Sequence, residues 1–297
     1  MHKFIRSNKN PNSHVYVCDY NWPVEVAMRG RAMVVRVNCL EDINAIQSHL
    51  DEATKVEAFV YRNDFESLET IDINPAWGNT AIILYINRLG QFRNVHHKVD
   101  LIRRMNMIVI FTGNEAQVCE DAQILASLGI HTGIELRPDS ELSDHVLDLI
   151  TYNFYGTMPH GQIEPFSAIE RNYDGESYVS PELTNFINPY RYIHVDKDLN
   201  LAFSKKALEN GEILSAKMGQ LKPVDLEEEA DKYAHKWQEM FVDSHECTFC
   251  PAFRTCMGYF KHEGEGKRCK TVMTELLDAI EFFKLKLQQN NNQRCQL

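Results

Sequence analysis

Short apolar runs alternate with amphipathic stretches along the first half of the chain. "HVYVCD" (14–19) and "AMVVRVN" (32–38) are runs of strand formers. "LEDINAIQSHLDEA" (40–53) places its apolar residues at helical spacing, and "VEAFVY" (56–61) returns to strand formers. The pattern then predicts strand "AIILYIN" (81–87), helix "HHKVDLIRRM" (96–105) and strand "MIVIFTG" (107–113). Helix "EAQVCEDAQILASLG" (115–129), strand "HTGIELRP" (131–138) and helix "ELSDHVLDLITYNFYG" (141–156) follow. Asn114 or Gly113 can open the helix at 115, and Gly129 can close it.

Continuous apolar strands separated by amphipathic helices predict a parallel sheet covered by helices. The expected fold class is α/β, with a partial (β/α) barrel-like parallel sheet over residues 1–156.

The character changes after about residue 156. Residues 157–190 cluster Gly and Pro without long periodicity, and predict a loop-rich linker with short helices at most. "YIHVDKDLNLAFS" (192–204) alternates and suits a hairpin, with Leu199 where a Gly is expected. "PVDLEEEADKYAHKWQEMFVDSH" (223–245) predicts a helix in which Asp225 and Glu228 have capping-box spacing. Its Glu227, Glu228 and Glu229 read as a solvated face at the positive end of the helix dipole. A last amphipathic helix is expected over 270–289, with a fraying tail "NNNQRCQL".

Charge narrows the function classes. The formal net charge is −11 over 297 residues, with no Lys/Arg run, which disfavours a nucleic-acid backbone or an anionic membrane surface as partner. A cationic peptide or basic partner is electrostatically compatible. The first residues lack the apolar core of a secretory signal, and no run reaches the about 18 apolar residues of a membrane span. A cytoplasmic location is the expectation.

In a reducing compartment, clustered cysteines read as metal ligands rather than cross-links. Four of the eight cysteines are clustered: Cys247, Cys250, Cys256 and Cys269, spaced C-x2-C-x5-C-x12-C. Four thiolates this close suit one [4Fe–4S] cluster or one zinc ion, and spacing alone barely separates the two. Cys18, Cys39, Cys119 and Cys295 are scattered. His245 and His262 flank the cluster and read as surface histidines, because four cysteines already complete a site.

Other candidate chemistry is sparser. His96 and His97 open a helix after a strand, where ligands collect in parallel sheets, or else are solvent-facing helix residues. Glu135 and Arg137, with Asp139 beyond, could line a barrel mouth or form a structural ion pair. Tyr152, Phe154, Tyr155, Phe166, Tyr173 and Tyr178 suit either a peptide groove or packing of the linker onto the sheet.

The cysteine stretch resembles the SPASM domain appended to radical SAM peptide-maturing enzymes. That family carries C-x2-C-x5-C-x3-C and a later Cys. The resemblance implies that Cys247, Cys250, Cys256 and Cys269 are the four ligands of the distal auxiliary [4Fe–4S] cluster. The x3 position, which serves a proximal cluster in the family, is Phe260. "IHVDKDLNLAFS" (193–204) is similar to the family's ligand-donating hairpin but ends Ala202, Phe203, Ser204 without a Cys. "ENGEILSA" (209–216) resembles its following strand.

The C-x3-C-x2-C loop that binds the catalytic cluster and S-adenosylmethionine is missing, and Cys18 and Cys39 lie too far apart to supply it. The resemblance therefore implies a non-catalytic relative with one [4Fe–4S] cluster and no S-adenosylmethionine. It would be a scaffold that binds a precursor peptide or a true radical SAM enzyme. Its parts would be a β/α domain (1–156), a linker (157–190) and a SPASM-like C-terminal domain (191–297). The competing expectation is an enzyme with zinc at the four cysteines. It would bind a small molecule at the mouth of the β/α domain through His96, His97, Glu135 and Arg137.

Overall fold

The computed structural model describes residues 14–21, 27, 29–49, 53–63, 73–77, 81–91, 95–136, 142–174, 189–214, 223–234, 238–243, 245–256, 258–260 and 268–294. Among the described residues, nine strands form one sheet: β1 (Val15–Asp19), β2 (Ala32–Val37), β3 (Lys55–Asn63), β4 (Ile82–Ile86), β5 (Met107–Phe111), β6 (Thr132–Ile134), β7 (Ile163–Glu164), β8 (Tyr192–Val195) and β9 (Leu201–Ala202). The helices are α1 (Asp42–His49), α2 (Val95–Arg104), α3 (Glu115–Ser127), α4 (Asp144–Tyr155), α5 (Phe166–Asn172), α6 (Lys205–Glu209), α7 (Pro223–Ala234), α8 (Glu239–Val242), α9 (Phe253–Cys256) and α10 (Arg268–Arg294). The fold is α/β, as the apolar runs predict.

Strand order across the sheet is β7-β6-β5-β4-β3-β2-β1-β8-β9. Every neighbouring pair is parallel except the β8–β9 hairpin. The order never reverses from β1 to β7. Right-handed crossovers in that order send successive helices to the same face.

The core reflects this asymmetry. One large cluster joins Met33, Phe59, Leu84 and Phe111 of the strands to Ile43, Ile102, Leu125 and Leu149 of the helices. The opposite face buries Val15, Val17, Val34, Ala58, Val60, Tyr85 and Ile110, and no described helix contributes to that cluster. A register shift where β2 meets β3 carries Ala58 and Val60 onto this second face.

Local signals explain the element ends. Asn114 caps α3 by accepting from the Gln117 N–H at 3.4 Å. Gly129 follows the helix at φ +73°, a conformation that favours glycine. In the β8–β9 turn the Asp196 carboxylate accepts from the Asp198 and Asn200 N–H groups. Leu199 there takes φ +63°, the position where a Gly is expected.

Several expectations are corrected. The linker also carries an edge strand, β7, too short to leave a periodic signal. The strand expected over 131–138 is regular over Thr132–Ile134 and has ended by Glu135, while 137–138 lie outside the described residues. The stretch expected as a strand at 209–216 instead ends α6 at Glu209 and turns at Gly211, while 215–216 lie outside the described residues. The helix expected over 223–245 appears as α7 and α8, with 235–237 outside the described residues. Lys232 ion-pairs with Glu228 and Glu229 at its surface, as a solvated acidic face requires.

The tail expected to fray continues α10 to Arg294, because no Gly or Pro interrupts the run from Arg268. Cys295 lies outside the described residues. No helix among the described residues is long and apolar enough to cross a membrane.

The expected boundary at 191 falls inside the sheet, since β8 pairs with β1. The large core also runs on into Ala252, Phe260, Val272, Met273 and Leu276. The aromatic residues at the end of α4 pack on α10: Phe154 meets Phe283 with ring centroids 5.9 Å apart, and Tyr155 meets Phe282 at 5.0 Å. Tyr173 donates its hydroxyl to Glu281 at 3.0 Å.

Candidate metal centre

The first two cysteines sit at the ends of a tight turn. His245 opens it: its Nδ1 accepts from the Cys247 N–H at 3.2 Å. The Cys250 N–H then returns to the Cys247 carbonyl at 3.1 Å, so the two-residue spacing closes one turn. Phe253 N–H bonds to the Cys250 carbonyl at 3.0 Å and starts α9, which ends at Cys256. The chain reverses through Gly258, at φ +73°, and Cys269 enters in the first turn of α10.

These four cysteines line one cavity together with Phe253, Gly258, Phe260, Lys270 and Met273. No carboxylate and no histidine is among those residues. His245 is used as a turn cap, and His262 lies outside the described residues. Phe260 is 1% exposed and packs edge-on against Tyr259, with centroids 4.8 Å apart. It fills apolar space beside the four cysteines.

Electrostatics at the sulfurs are opposed. Burial pushes the Cys256 thiol up to about 11, and the neighbouring Cys269 adds to the rise. Backbone hydrogen bonds from Phe260, Tyr259 and Gly258 act against it. Cys269 is likewise raised, first by burial, and also by Cys250 and Glu246, against the Lys270 backbone. Burial therefore favours the neutral thiol at Cys256 and Cys269. A bound cation would reverse that preference, because it stabilises the thiolate directly.

Among the described residues, no three His, Cys, Asp or Glu side chains stand as a ready metal-holding group. The four thiols share a cavity without converging on one point. An all-sulfur donor set with backbone N–H groups aimed at Cys256 nevertheless fits zinc or an iron–sulfur cluster, and not a hard oxygen-seeking cation.

The module is fixed to the β/α part. The Tyr259 hydroxyl donates to the Leu136 carbonyl just beyond β6. Arg268 pairs with Asp144 at the start of α4.

Comparison with protein-family models, curated proteins and solved structures finds no match to this chain.

Of the other expected site residues, His97 and Glu135 are not among those lining the cysteine cavity. His97 is exposed near the start of α2; the His96 side chain lies outside the described residues, as do Arg137 and Asp139. Glu135 is held by Arg62 through two bonds of 2.9 and 3.1 Å, and Arg62 lies over the Tyr85 ring at 4.4 Å.

Around that pair the structure groups residues absent from the sequence expectations. Asp19, Arg36, Arg62, Tyr85 and His194 sit at or next to the C-terminal ends of β1, β2, β3, β4 and β8. Arg36 contacts His194 Nδ1 at 2.7 Å and Asp19 at 3.4 Å. For Arg36 and His194 the available sequence signal was a lone charged or polar side chain one residue before the end of an otherwise apolar strand.

Proposed function

We propose that this chain is a non-catalytic iron–sulfur protein serving radical SAM-dependent peptide modification. It would bind a precursor peptide or a true radical SAM enzyme. Cys247, Cys250, Cys256 and Cys269 would hold one [4Fe–4S] cluster that stabilises the fold or relays electrons. The N-terminal strands and helices would be an open partial (β/α) barrel, and the cysteine segment a reduced SPASM-like module.

One observation carries this reading: cysteines from two separate segments line a single cavity, with Phe260 closing the position of a further ligand. Each cysteine sulfur swings on one torsion, so convergence on a metal asks for side-chain rotation within the existing turns. The absence of a C-x3-C-x2-C loop in the sequence supports a scaffold over a catalyst.

The test is anaerobic purification of the full chain with iron, sulfide and zinc determined together. The proposal expects broad brown absorbance and about four irons per chain. Colourless protein with one zinc would overturn the cluster assignment. Co-purification with a radical SAM enzyme or its substrate peptide then tests the partner role.

A further inference from the structure

We propose that the C-terminal ends of β1, β2 and β8 form a binding site for a small oxyanion-bearing molecule, with Arg36 as its main binding group. This goes beyond the cysteine site and does not depend on it.

Asp19, Arg36 and His194 belong to the face of the sheet that no described helix covers, each continuing the alternation of Val17, Val34 and Tyr192. One step down the strands, at the level of His194, that face is apolar, with Val17, Val34 and Ala58. Asp19 and Arg36 thus sit above an apolar floor into which His194 is set, at the strand ends where parallel sheets bind ligands.

Arg36 and Arg62 differ in how their charge is met. Arg62 is saturated by both oxygens of Glu135. Among the described residues, Arg36 meets Asp19 through a single long contact of 3.4 Å, and that carboxylate is 61% exposed. Its other partner is His194 Nδ1 at 2.7 Å. A guanidinium can only donate, so Nδ1 accepts and the imidazole is neutral. His194 is 3% exposed and offers Arg36 orientation without a countercharge.

Among the described residues, the guanidinium is therefore aimed by a buried neutral partner and only loosely compensated by a surface one. A planar fork with this imbalance suits a carboxylate or phosphate oxygen pair. Asp19 is then a competitor for the same cation.

That competition supplies the test. The full chain is titrated calorimetrically with succinate and, separately, inorganic phosphate, against sodium chloride at matched ionic strength. The two probes distinguish a carboxylate ligand from a phosphate one. Binding of either beyond the chloride control is expected. Arg36→Gln should weaken it by about tenfold or more, the loss of a charge-assisted hydrogen bond.

Asp19→Asn removes an exposed side chain and should tighten the same probe several-fold. A purely structural Arg36–Asp19 contact predicts no tightening. The proposal is overturned if neither probe binds the wild type or Asp19→Asn beyond chloride, or if Arg36→Gln binds as well as the wild type.

Discussion

The Tyr259 hydroxyl donates a hydrogen bond to the Leu136 carbonyl at 3.0 Å, across 123 positions of sequence. Tyr259 lies in the turn after Cys256, and Leu136 just past the end of β6. One bond thus couples the cysteine loop to the strand end. Tyr259→Phe keeps the ring packing on Phe260 and removes only the hydroxyl. It should cost about 1 kcal/mol of stability, plus part of the desolvation of the Leu136 carbonyl. Urea unfolding of both proteins checks this; equal midpoints would show the bond to be dispensable.

Phe260 tests the packing of the cavity itself. It is among the largest fully buried side chains and lines the cavity beside the four cysteines. Phe260→Ala should destabilise the chain by about 3–5 kcal/mol through lost burial and residual cavity. It should also lower retained metal after dialysis, because the cysteine turns lose their backing. A stable variant with full metal content would contradict the packing role.

The cysteines should not be equivalent to the remaining ones. Cys256→Ser replaces a buried sulfur whose backbone hydrogen bonds come from Gly258, Tyr259 and Phe260. Metal content should fall to near zero and the protein should become protease-sensitive around 245–270. Cys39→Ser, half-buried on the far part of the chain near Asp42, should keep full metal content. Elemental analysis of the two variants separates the outcomes; equal loss in both would remove the site from these four residues.

Long apolar strands such as 81–87 and 107–113 were legible because a strand buried on both faces needs no alternation to declare itself. β7 was not, since two residues form no period. The β8–β9 turn was readable from Asp196 to Asn200, but the pairing of β8 with β1 was not, because nothing local in "YIHV" names its neighbour. The cysteine set was fully legible as a set, and its shared cavity follows from short spacings. The Arg36–His194 contact spans 158 positions and joins two residues that look like isolated interruptions of apolar runs. Only the sheet order brings them together.

Glu164 gives the fold a predictable acid sensitivity. Burial alone would raise its pKa, but hydrogen bonds from His131 at 3.1 Å and Arg171 at 2.8 Å outweigh that and lower it below the ordinary 4.5. A second oxygen accepts the Ala168 N–H at the start of α5. The carboxylate therefore binds its proton less readily in the folded chain than in the unfolded one. Its contribution is fully present above the unfolded value and is lost as pH falls through the folded value. Glu164→Gln keeps the shape and removes the charge. The variant should be less stable near neutral pH, and its stability should fall less steeply on acidification below about pH 4.5. Urea midpoints measured from neutral pH down through that range give both slopes. Parallel curves for wild type and variant would mean that Glu164 is protonated alike in the folded and unfolded chain, and that its bonds to His131 and Arg171 do not favour the charged form.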